Sequence, residues 1–142
     1  MSVEENKKSA YRCMEEIWNK GDYSVIPEVI APDYFGYASY APETVIRGHE
    51  AFEEMVKYYR QAMPDIHIGV EEVIGEGDTL AIRLSNKGTF TGKVGDTEPT
   101  GKKSDYQSLL VCRYTDGKCI ESITFSDRVT VNKQLGLPIP TE

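Results

Sequence analysis

Helical periodicity occupies the first 63 residues and strand texture almost everything after Pro64, and this segregation leaves the chain few architectures. Ala10, Tyr11, Met14, Ile17 and Trp18 recur at three- and four-residue steps between Val3 and Lys20, with Gly21 placed as a cap, which predicts an amphipathic helix. A second, short helix is expected after Asp22, with Val25, Ile26, Val29 and Ile30 on its apolar side and Ala31-Pro32 ending it. Phe52, Met55, Val56, Tyr59 and Met63 share one face between Gly48 and Met63, so a third helix follows and Pro64 stops it. Tyr34, Phe35, Tyr37 and Tyr40 crowd a segment too irregular for a strand, read as a loop at a pocket mouth. Four strands are expected beyond Pro64: Asp65–Ile74, Thr79–Gly92, Lys102–Tyr114 and Lys118–Val129, divided by Gly and Asp-Gly turn signals. Helices grouped ahead of strands point to an antiparallel α+β fold, and no glycine-rich phosphate loop is present.

A length of 142 residues corresponds to one domain, read here as spanning 1–142. The 23 Asp and Glu outnumber the 16 Lys and Arg, giving a net charge of -7. Such a field repels nucleic-acid phosphates and anionic membranes, so neither is expected as a partner. Met1 to Lys8 is polar and acidic, unlike a secretory signal, and no later stretch reaches transmembrane length, so a cytoplasmic location is expected. Cys13, Cys112 and Cys119 have no metal-binding spacing and read as small buried hydrophobes; no metal site is expected.

Asp116-Gly117 is a strong two-residue hairpin turn that places Thr115 opposite Lys118. Counted outward without a bulge, Tyr114 faces Cys119, Cys112 faces Glu121, Leu110 faces Ile123, Ser108 faces Phe125 and Tyr106 faces Asp127. That shared face is apolar at Leu110, Ile123 and Phe125 and polar towards Ser108, Tyr106 and Asp127, as at the polar end of a pocket. The other reading of Asp127 is as the N-cap of a short terminal helix over Val129 to Leu135.

Several segments in order resemble the SnoaL-like polyketide cyclase family: Arg47-Gly48-His49-Glu50, Met63-Pro64-Asp65-Ile66-His67, Glu76-Gly77-Asp78, Gly88-Thr89-Phe90-Thr91-Gly92, Pro99-Thr100-Gly101-Lys102, Asp116-Gly117-Lys118, then Asp127 and Gln134-Leu135-Gly136. The resemblance implies a cone, a bent antiparallel sheet wrapped around N-terminal helices to enclose an apolar cavity. This is the nuclear-transport-factor-like and ketosteroid-isomerase-like architecture, a cystatin-like α+β barrel. It also implies ring closure by intramolecular aldol condensation, or a related isomerisation, on a small hydrophobic carbonyl compound, without metal or organic cofactor. An aspartate serves as acid and base, and Asp127 is the matching position. A carboxylate beside Phe125 and Ile123 would be poorly solvated, which raises its proton affinity, and Tyr106 opposite would donate a hydrogen bond. Phe90, Ser108, Leu110, Ile123 and Phe125 complete the expected pocket. Two departures stand out: Phe90 where many members carry histidine, and Ile123 near where tryptophan is usual. A non-catalytic module holding a hydrophobic ligand in the same cavity is the alternative.

Other candidates are weaker. His49 reads as a solvated or capping residue at a helix start, and His67 as a strand residue facing away from Ile66 and Ile68. Arg83 alternates with Ile82 and Leu84, so it is expected to face solvent or a partner subunit. Glu71 and Glu72, adjacent on a strand, are expected on opposite faces and so not as a carboxylate pair. A homodimer is expected through the outer sheet face, where Leu109, Val111 and Arg113 lie opposite Thr124, Ser122 and Ile120 in the bulge-free register.

Overall fold

A serine cap starts the first helix: in the computed structural model, which describes residues 2–139, the Ser2 hydroxyl accepts from the Glu5 N–H at 3.2 Å. Helix α1 (Val3–Arg12) continues as a wider π-helical coil over Cys13–Asn19. Carbonyl oxygens freed at that end are met by Arg60, whose Nη1 donates to Trp18 at 2.6 Å and Asn19 at 3.0 Å. The Asn19 amide pairs with both backbone groups of Ile68, at 2.7 and 2.8 Å, and so fastens the coil to the sheet.

The expected second helix is shorter than read, a 3-10 turn at Tyr23–Val25 followed by α2 (Ile26–Val29), because the chain turns extended at Ile30. The aromatic segment expected as a loop is two strands, β1 (Ile30–Ala38) and β2 (Ala41–Arg47). Then follow α3 (Gly48–Ala62), β3 (His67–Glu76), β4 (Thr79–Thr89), β5 (Lys103–Thr115), β6 (Lys118–Ser126) and α4 (Arg128–Leu135). The six strands form one curved sheet in the order β2-β1-β6-β5-β4-β3, antiparallel except where β1 runs parallel to β6. The chain therefore adopts the expected α+β class, with the sheet wrapped around the N-terminal helices. No helix among the described residues is long and apolar enough to cross a membrane.

The hairpin turn is as read: Asp116 and Gly117 take φ of 53° and 75°, Thr115 pairs with Lys118 and Tyr114 with Cys119. Beyond that point the expected register fails, because Ile120 is an extra residue accommodated in a β-bulge. Glu121 pairs with Arg113, Ser122 with Cys112, Ile123 with Val111, Thr124 with Leu110, Phe125 with Leu109 and Ser126 with Ser108. A slip of one residue exchanges the two faces of a strand. Ser122, Thr124 and Ser126 therefore turn to the concave side, while Ile123 and Phe125 turn outward.

A second bulge lies between Val70 and Glu72. Instead of opposing each other across the sheet, both glutamates reach outward-facing residues: Glu71 accepts from the Ser85 hydroxyl at 2.8 Å and Glu72 pairs with Arg83 at 3.3 Å. The core sits on the concave side, where Ile17, Ile26, Ile30, Val56, Leu80 and Ile82 are fully buried. Gly36 lies there in a close approach: a β-carbon would sit 2.1 Å from the Tyr34 hydroxyl, which forms a buried 2.6 Å hydrogen bond with Ser122.

Candidate functional site

The helices do not fill the concave face, and a cavity of about 470 Å³ remains between them and the sheet, within the size range of small-molecule sites. Its sheet wall is built in rungs. Leu80, Cys112 and Ser122 align at the closed end, followed by Ile82, Leu110 and Thr124, then Leu84, Ser108 and Ser126, and finally Asn86 and Tyr106. Below Leu80 in this series all of these side chains line the cavity, and the wall becomes more polar along it. The Asn86 amide nitrogen donates to the Ser108 hydroxyl at 3.0 Å. The facing wall is apolar and aromatic, with Met14, Trp18, Phe52, Met55 and Tyr59, and Tyr34 packs edge-on against Phe52 at 5.4 Å.

Tyrosines dominate the lining's titratable groups. Burial pushes the Tyr59 phenol up to about 12 and raises those of Tyr106, Tyr34 and Tyr114, and it raises the Cys13 thiol too. All five are therefore protonated at neutral pH and act as donors rather than bases. At the solvent-facing end, Arg128 lies over the Tyr40 ring at 5.1 Å. No aspartate, glutamate or histidine lines the cavity among the described residues, and Arg128 supplies its one formal charge. Nor do three or more His, Cys, Asp or Glu side chains gather there in a metal-binding group.

The expected site residues divide accordingly. Tyr106, Ser108 and Leu110 line the cavity. Phe90, Ile123, Phe125 and Asp127 do not. Phe90 is buried past the end of β4, where its backbone exchanges hydrogen bonds with Lys102 and Gly101, and Phe125 is 43% exposed on the outer face. Asp127 caps α4: its carboxylate accepts from the Thr130 N–H at 3.2 Å and the Thr130 hydroxyl at 2.7 Å. Those bonds hold its proton affinity below the ordinary carboxylate value, the reverse of the expected rise, in a position exposed to solvent. Tyr106 lies opposite Asn86 rather than Asp127, since β6 has ended at Ser126.

Outside the cavity, His49 hydrogen-bonds the Ile30 carbonyl at 2.7 Å and His67 is exposed, with Ile66 and Ile68 on the cavity side. The lining residues not expected from the sequence include Thr124, Ser126, Asn86, Tyr59 and Arg128. Asn86 was within reach, because the alternation of Leu80, Ile82 and Leu84 carried two residues further arrives at it.

A family model described as SnoaL-like polyketide cyclase matches residues 8–135. Aklanonic acid methyl ester cyclase DnrD of Streptomyces peucetius is 26% identical over 131 residues, covering 92% of this chain and 90% of the relative. Among solved structures, wild-type IdmH from Streptomyces antibioticus superposes with a TM-score of 0.79 at 28% identity, over 93% of this chain and 99% of that one. A SnoaL-like protein from Jannaschia sp. CCS1 gives 0.85 at 22% identity, over 97% of each chain. A protein of ketosteroid isomerase-like fold from Catenulispora acidiphila gives 0.75 at 14% identity, over 92% and 94%. At such identities the last two matches speak for the fold alone.

Proposed function

Since the chain belongs to the SnoaL-like polyketide cyclase family, we propose that its cavity takes up a small hydrophobic carbonyl compound of polyketide type, and that it acts as a binding module without carboxylate acid–base chemistry. The observation that carries this reading is the lining: an apolar volume with a strip of hydroxyl and amide groups, and no carboxylate or imidazole among the described residues. Phenol, hydroxyl and amide donors at Tyr106, Ser108 and Asn86 suit a carbonyl oxygen. Aldol ring closure needs more, because a proton must leave carbon and later return, and the buried phenols and thiol stay protonated at neutral pH.

A second reading keeps Asp127 as acid and base. It is favoured by its position between Ser126 and Arg128, both of which line the cavity, so one peptide separates it from the wall. For catalysis its carboxyl would have to leave Thr130 and turn inward. Asp127→Asn separates the readings cleanly, since asparagine caps a helix as well as aspartate does. We expect the variant to fold and to bind ligand as the native protein does, with neither protein turning over a polyketide ester. A folded variant that binds but has lost turnover would establish the second reading instead. The same variant should lose part of the acid sensitivity. A carboxyl with a lowered folded pKa stabilises fully above its unfolded value of ~4 and stops doing so as pH falls through the lower folded value.

Assembly is also part of the proposal. With the bulge, the outer face carries Leu109, 42% exposed, beside Phe125, and Val111 beside Ile123, a more apolar patch than the bulge-free register implies. We expect two copies to pair through it, and sedimentation equilibrium at micromolar concentration to give twice 16.0 kDa. Leu109→Glu should dissociate the pair; a native species of 16.0 kDa would end the proposal.

A further inference from the structure

Among the described residues the cavity's one formal charge is positive, in a chain whose net charge is -7. Arg128 enters the wall at the first residue of α4 and is half-buried. Among the described residues no carboxylate lies within ion-pair distance of its guanidinium, and no acceptor takes its N–H groups. Asp127, its neighbour in sequence, is engaged by Thr130, and the cation near that carboxyl is Lys133. The Arg128 side chain instead lies over the Tyr40 ring, 5.1 Å from its centre. A guanidinium resting on an aromatic face keeps its edge N–H groups available in the plane, the geometry that meets a carboxylate with two parallel hydrogen bonds. Tyr59 and Tyr106 belong to the same cluster, close enough that Arg128 and Tyr40 each influence their titration. Burial keeps both phenols protonated, so they offer donors to an anion and do not compete with one.

We propose that Arg128 sets the chemical class of the ligand, and that the cavity selects a hydrophobic carboxylic acid over its methyl ester. The ring system of such an acid lies among the apolar side chains, and its carboxylate meets Arg128 with Tyr59 and Tyr106 as neighbouring donors. An ester in the same place has no charge to pair with the half-buried guanidinium and presents one carbonyl oxygen in place of two equivalent acceptors. The inference rests on the reading of this cavity as a ligand site and makes it more specific.

The test uses anthraquinone-2-carboxylic acid and its methyl ester, titrated against the full chain with binding followed through Trp18, the single tryptophan and a cavity residue. The native protein should bind the acid about ten- to a hundredfold more tightly than the ester, the factor expected for a hydrogen bond to a charged group. In Arg128→Gln the acid should fall to the level of the ester while ester affinity is unchanged, which also shows that the variant is folded. Arg128→Lys should keep part of the preference, because the charge remains and the planar fork is lost. Equal affinity of the native protein for acid and ester overturns this inference and leaves the cavity reading standing, and so does a preference that survives in Arg128→Gln. Failure of both compounds to bind overturns the two together.

Discussion

Replacing Leu110 with tryptophan should weaken ligand binding by about a hundredfold or more, roughly 3 kcal/mol, and leave the melting temperature unchanged or higher. Leu110 occupies the middle rung of the sheet wall between Ile82 and Thr124, and its side chain is half-buried because it borders the void. Overpacking a filled core forces side chains off their rotamers, but here the added atoms of an indole enter empty volume. They occupy the space that the ligand needs. Calorimetric titration is the suitable measurement, since the new indole would confuse fluorescence, and thermal unfolding of the ligand-free variant supplies the control. Retained affinity in a folded variant would place the ligand elsewhere on the molecule and remove the basis of the proposed function.

One rung away, on the neighbouring strand, the expectation reverses. Leu80→Ala should cost about 2–5 kcal/mol of folding stability, the range for deleting a fully buried leucine side chain. Leu80 has no exposed surface and lies at the closed end of the cone, opposite Cys112, with its methyl group against Gly75, where a β-carbon would come within 2.7 Å. Nothing there can collapse cheaply, since the contacts come from strands held by their ladders as well as from side chains. Against a total stability of about 5–15 kcal/mol for a typical domain, such a loss is large and easily measured by chemical denaturation. A cost below about 1 kcal/mol would show that the closed end is loosely packed and that the cavity extends past Leu80.

The contrast between these two leucines also marks how far the sequence could be read. Local periodicity located α1 and α3 and the four C-terminal strands, because each buries one face and that burial leaves a period in the sequence. It also identified the turn at Asp116-Gly117, where a positive φ at both positions restricts the residue types. On β5 the inward series Tyr106, Ser108 and Leu110 was correct, since that strand has a regular ladder with β4 from Lys103 to Arg113. On β6 the inward series was wrong from Glu121 onward, and no residue near Ile120 signals a bulge; Ile and Glu are ordinary strand residues. The error carried Ile123 and Phe125 into the expected pocket and brought Asp127 with them. β1 was missed for a different reason. Its parallel partner β6 lies some ninety residues along the chain, and pairing at that distance overrides the weak local preference of an aromatic, glycine-containing segment. Arg128 and Tyr40 come from different elements, a helix start and a strand turn, and only the pairing of β1 with β6 brings them together.

The Ile120 bulge separates two properties that a regular hairpin would tie together. With that residue removed, the ladder running from Tyr114 and Cys119 would become regular, yet Glu121 would still meet Arg113 and Ser122 would still meet Cys112. The inward chemistry of β6 would survive, and the local bend and extra twist that the bulge imposes would go. A single in-frame codon loss at this hairpin thus alters the width of the cone without altering which side chains line it, whereas a point substitution at Thr124 does the opposite. Descendants of such a sequence have two independent routes to a new ligand, one through length and one through composition, and comparing hairpin lengths among relatives would reveal which of them has been taken.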